Sequence, residues 1–319
     1  MKNFIKLQNA FPITLIVSIV FLVVFYLLSF FQIIQSPDSL NFIGEASRWC
    51  ERISPGPFRE PINTLTNLGF MVVGLYILYK ITNETSFNDF SGINKITVLY
   101  GVAVVYLGPG SMMMHGTNTE WGGWADNLSM VMYIVIPWLY NIYKMSDWTV
   151  NVFLKIYIAI VLIYALMRGL FGYGMGIGLD LFGVSIGLWV ISEFLYRFWS
   201  PKMRFISGFV GFLVLMIFGI FPIDVINNIE NYWWIILFWL PGLLSSKKPR
   251  GKRSYIWYFA GMLAYIAAWV IWLEGNLTIN PNSQFCNPDS LVQAHGIWHL
   301  LTATATLFFF YHYRSEKLT

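Results

Sequence analysis

The feature that most constrains this chain is a repeated one: apolar runs of about 20 residues separated by short polar connections. A helix of that length crosses the roughly 30 Å hydrocarbon core of a bilayer. The first run extends from Phe11 to Ile34. Nine more lie near 61–81, 96–115, 124–144, 150–169, 175–197, 204–222, 231–246, 254–274 and 291–313. Backbone groups in lipid must be satisfied within the protein, and a helix does this segment by segment. The pattern therefore predicts an all-α integral membrane protein with about ten transmembrane helices. Charged residues make up 11% of the chain, against about 25% in soluble domains. Residues 1–40 read as an N-terminal anchor helix, because the run is too long for the core of a cleaved leader. Residues 41–319 then form one polytopic membrane domain.

Charge placement predicts the orientation. With ten spans and a cytoplasmic N-terminus, both termini and the even-numbered connections face the cytoplasm. Of 20 lysines and arginines, only Arg48, Arg52, Arg59 and Arg168 then fall on the opposite side, as the positive-inside rule requires. The basic run Ser-Ser-Lys-Lys-Pro-Arg-Gly-Lys-Arg (245–253) reads as a cytoplasmic topology anchor, and no nucleic-acid partner is expected.

This topology brings the chemistry-bearing residues to one end of the helices. His115 closes the third span, Asp126 opens the fourth, and His295 and His299 open the tenth, all toward the non-cytoplasmic face. His295 and His299 are four apart, as are Ser111 and His115, so each pair shares a helix face. Three imidazoles and a carboxylate in so apolar a chain suggest a catalytic zinc site, in which three protein ligands leave a fourth position open. His115, His295 and His299 are the expected ligands. Asp126 is the expected proton shuttle, and Ser111 the donor to a developing oxyanion. The bland alternative is a set of helix-to-helix hydrogen bonders. The two cysteines, Cys50 and Cys286, fall on the same side, where disulfides persist. A bridge between them is expected, with cysteine ligation of zinc as the lesser alternative.

The blocks Gly108-Pro-Gly-Ser111-x3-His115, Asp126 and His295-Gly-Ile-Trp-His299 resemble those of the alkaline ceramidases. That family belongs to the membrane-hydrolase superfamily that includes the adiponectin receptors. Trp49-Cys50-Glu51, with Glu60-x2-Asn63-x3-Asn67, is similar to the family's N-terminal signature. The resemblance implies a seven-helix core, here with about three additional helices. It also implies zinc on the three histidines and hydrolysis of the ceramide amide to fatty acid and sphingoid base. Animal members carry a calcium site around Trp-Cys-Glu. Trp49, Glu51 and Glu60 match it and read as its remnant, but Arg48 and Ile53 stand where an acid and an asparagine belong. These departures argue against calcium.

Competing functions are a lipid receptor or sensor on the same scaffold, and a hydrolase of another acylated lipid. The last span has no mid-membrane lysine for a retinal Schiff base. The polar cluster lies near one end of the spans, unlike the mid-bilayer charges of a transporter.

Overall fold

The computed structural model describes residues 7–318. All ten apolar runs fall on helical segments. In chain order the helices are α1 (Ala10–Phe30), α2 (Pro61–Thr66), α3 (Leu68–Thr82), α4 (Lys95–Thr117), α5 (Glu120–Lys144), α6 (Val150–Phe171), α7 (Leu181–Arg197), α8 (Met203–Ile206), α9 (Val210–Ile217), α10 (Pro222–Asn227), α11 (Leu240–Leu244), α12 (Tyr255–Gly275) and α13 (Ala294–Arg314). Five segments are both long and apolar enough to cross a membrane: Leu7–Phe30, Pro61–Thr82, Lys95–Thr117, Val150–Phe171 and Tyr255–Gly275. The protein is an all-α membrane protein. Of the remaining helices, α5 and α13 are long but less apolar on average, since they carry buried polar side chains, and α7 is shorter at 17 residues.

The chain divides into two compact units. Among the described residues, one comprises 7–129 with Arg253–Lys317, and the other Met130–Lys252 with Leu318. In the first, α12 packs along α13, α13 meets α2 and α3, α3 packs on α4, and α1 leans on α3 and α4. Asn94 caps α4, its side chain accepting from the backbone N–H groups of Ile96 and Thr97 while Thr97 Oγ1 accepts from Asn94 N. This reciprocal arrangement satisfies groups that a helix start leaves open. Tyr100 at the buried face of α4 donates to the Thr306 carbonyl of α13 at 2.6 Å. A side chain added at Gly108 would collide with Met71 and the Asn67 carbonyl, and one at Gly110 with Ser129. Glycine at these two positions lets α3 and α5 approach α4 just before Ser111.

In the second unit, Asn141 of α5 donates to the Glu193 carboxylate of α7 at 2.8 Å, so each buried polar group satisfies the other. The seventh and eighth apolar runs differ from the others in length. Met203–Ile217 and Trp233–Leu244 are short apolar helices of 10–17 residues, below the roughly 20 needed to cross. They pair with each other: Arg204 Nε donates to the Gly242 carbonyl at 2.9 Å. Phe238 fills the space over Gly211. Positive backbone φ at Gly219 and proline at Pro222 interrupt the first run, and Pro241 lies in the second. The apolar composition is there, but the chain turns before it has spanned.

Candidate metal and catalytic site

The site is assembled in the first unit from the loop 44–60, α2, the C-terminal turn of α4, the first turns of α5 and the N-terminal turns of α13. The loop folds back on itself through Gly44 N to Ile53 O and Ser47 N to Glu51 O. Cys50 sits at its tip with φ of 76°. It is bridged to Cys286, with the Cα atoms 5.5 Å apart. The same neighbourhood is tied by Arg52, whose Nε and Nη2 donate to the two oxygens of Asp289 at 2.6 and 2.7 Å. Those bonds hold the Asp289 carboxyl below its ordinary range. Arg59 N and Glu60 N then donate to the carbonyls of Gly116 and His115, docking the loop on the end of α4.

His115, His295 and His299 come together as expected. All three are buried, and one nitrogen from each can be chosen so that all lie within 4.8 Å of one another. His115 Nε2 and His295 Nε2 are 3.0 Å apart. Two ligands of a tetrahedral zinc, each at about 2.0–2.1 Å, stand roughly 3.3 Å apart, a spacing that this pair comes close to. The triad is the one such group of histidine, cysteine and acidic side chains among the described residues, and it can hold a metal ion.

The other imidazole nitrogens decide which way the lone pairs point. His115 Nδ1 lies 2.8 Å from Glu60 Oε2, which also accepts from Asn63 Nδ2 at 2.8 Å. An oxygen in that position accepts, so Nδ1 carries the proton and Nε2 keeps its lone pair. Thr66 Oγ1 has its one proton directed at the Ile62 carbonyl, 2.9 Å away, and lies 3.0 Å from His299 Nδ1. The hydroxyl therefore accepts from His299, whose Nε2 is free in turn. His295 differs. Its Nδ1 is buried with no protein hydrogen-bond partner. The ring is held instead by stacking on Trp49, with centroids 4.2 Å apart and planes 20° from parallel.

Asp126 and Ser111 lie beside this cluster. Ser111 is buried and donates toward the Asp126 carboxylate, and His115 is close enough to act on that carboxylate electrostatically. Asp126 is partly buried.

The residues matching a calcium site have other engagements. Glu51 accepts the backbone N–H groups of Ile62 and Asn63 at 2.6 and 2.8 Å, serving the open start of α2. Burial pushes its carboxyl above the ordinary range, and those two bonds act against the shift. Glu60 is behind His115, and Trp49 is against His295. Sequence reasoning did not find the second role of these residues, nor Thr66. The available signal was the polar stripe Glu60, Asn63, Thr66 at three-residue spacing, which puts three polar side chains on one face of an otherwise apolar span.

Comparison with curated proteins returns no match. A family model described as ceramidase matches residues 46–317, a span holding the loop from residue 46 onward, every residue of the histidine cluster, Ser111 and Asp126. On that match over most of its length, the chain belongs to the ceramidase family.

Proposed function

We propose that the protein is a zinc-dependent amidase of the membrane that hydrolyses ceramide-like lipids to fatty acid and sphingoid base. The observation that carries this reading is the convergence of three buried imidazoles beside the Ser111–Asp126 pair. His115, His295 and His299 would hold the ion, and neutral imidazoles suit zinc, the far nitrogens of His115 and His299 donating to Glu60 and Thr66. A bound zinc ion supplies Lewis acidity, polarising a carbonyl and bringing the pKa of a water near 7.

The chain's own groups move the protons. Asp126 accepts one from the attacking water and returns it to the departing amine nitrogen, as a positioned carboxylate can. Ser111 donates toward Asp126 before substrate arrives and toward the amide oxygen as charge develops there. The C–N bond breaks, leaving a free fatty acid and the amine of the sphingoid base.

Membrane placement favours a lipid. The site residues stand at the end of α4, the start of α5 and the start of α13, with the disulfide beside them. The cysteine bridge and the charge distribution agree with a non-cytoplasmic site and cytoplasmic termini. The short hairpin of Met203–Ile217 and Trp233–Leu244 does not alter that count, because two half-crossings from one face return the chain to the same side. Purified protein in mixed micelles should release fatty acid and sphingoid base from ceramide, stop after chelation and resume when zinc is restored. Intact ceramide throughout, with zinc bound, would favour the receptor reading.

A further inference from the structure

Arg48 has no part in the chemistry above, yet it stands beside it. Its side chain is exposed, with the guanidinium carbon 4.6 Å from the centre of the Trp49 ring, the same indole that stacks on His295. The backbone there is fixed. The Arg48 carbonyl accepts from Leu277 N at 2.9 Å, and the bridged Cys50 follows two residues on. The other two arginines of this loop are engaged: Arg52 with Asp289, and buried Arg59 with the Ser54 carbonyl and Gln32. Arg48 has no carboxylate within ion-pair distance among the described residues. It is still near enough to act electrostatically on Asp126 and His295.

An arginine so placed offers a permanent charge and a rigid fork of N–H donors. The indole platform holds the guanidinium in place, so less freedom is lost when a ligand binds. We infer that Arg48 reads the headgroup: the site takes an N-acyl lipid bearing an anionic group, such as phosphate, sulfonate or carboxylate, close to the scissile amide. This rests on the amidase reading. Arg48 acts on Asp126 across space and makes no ion pair with it, so its donors remain open to a ligand.

The experiment compares kcat/KM for a ceramide and its 1-phosphate with identical chains, in wild-type protein and in Arg48→Gln and Arg48→Lys variants. Wild-type protein should prefer the phosphate-bearing lipid. Loss of a charge-assisted hydrogen bond should lower that preference roughly 10- to 100-fold in Arg48→Gln, mainly through KM. Arg48→Lys, which keeps the charge but not the fork, should recover part of it. The measurement is repeated with a non-cleavable anionic phospholipid in the micelles, and the preference should persist. If the preference disappears there, the arginine responds to surface charge and the inference falls. It falls equally if Arg48→Gln slows both lipids by the same factor, which would make Arg48 a partner of Asp126. Cleavage of neither lipid by wild-type protein would overturn the amidase reading itself.

Discussion

Glu60 stands directly behind His115: its carboxylate oxygen lies 2.8 Å from Nδ1, and both side chains are buried. The contact fixes the ring's tautomer and aims Nε2 at the other two histidines.

Removing such an outer partner typically weakens metal binding about 10- to 100-fold. Glu60→Ala should show that loss when zinc is titrated against a competing chelator. Glu60→Gln, which can still accept from Nδ1–H, should lose less. Unchanged affinity in Glu60→Ala would show that the carboxylate does not organise the site.

Trp49 does for His295 by stacking what Glu60 and Thr66 do for the other rings by hydrogen bonding. An aromatic pair contributes about 0.5–1.5 kcal/mol beyond its buried area, or roughly 2- to 10-fold in affinity. Cobalt substituted into Trp49→Leu should bind more weakly by that factor and give an altered visible spectrum, while Trp49→Phe should stay close to wild type. Identical spectra and affinities in all three proteins would rule out the positioning role.

The core of this site was legible in the sequence because its parts follow simple rules. Helical spacing joins His295 to His299 and Ser111 to His115, while alternation of sides places Asp126 and the two cysteines with them. The supporting contacts were not legible, since they depend on how the loop 44–60 folds back over α2. Glu51 and Glu60 therefore read as remnants of a calcium site, although they hold α2 and His115. The fold shows the same division. Long runs such as 150–169 and 254–274 became helices of matching length, because no proline interrupts them. The runs at 204–222 and 231–246 are equally apolar, but their glycines and prolines end the helices early, and hydropathy alone does not register that.

The Cys50–Cys286 bridge joins segments 236 residues apart, fastening the loop that carries Trp49, Glu51 and Glu60 to the segment leading into α13. Native disulfides in small secreted domains contribute about 2–5 kcal/mol; a bilayer already confines these helices, so the loss here should be smaller. Cys286→Ser should lower the thermal midpoint and loosen zinc. After proteolysis between the cysteines, the fragments should separate on non-reducing gels in the variant and stay joined in wild type. Free alkylation of both thiols in unreduced wild-type protein would exclude the bridge.

Ser111→Ala removes the hydroxyl that faces Asp126 and, in the proposed reaction, the amide oxygen. Hydrolysis should drop about 10²–10³-fold, the range for losing one oxyanion donor, with zinc content unchanged. A variant that loses zinc as well would make Ser111 a structural residue.

The most direct measurement pairs zinc content with ceramide turnover in Asp126→Asn and His299→Ala. Asp126→Asn keeps the shape of the side chain and removes its basicity. It should retain zinc at the wild-type level of about one per chain, while turnover falls about 10²–10⁴-fold. His299→Ala should insert in the membrane yet lose both zinc and turnover. Wild-type turnover in Asp126→Asn, or full zinc occupancy in His299→Ala, would contradict the division of the site into a shuttle and a metal-binding triad.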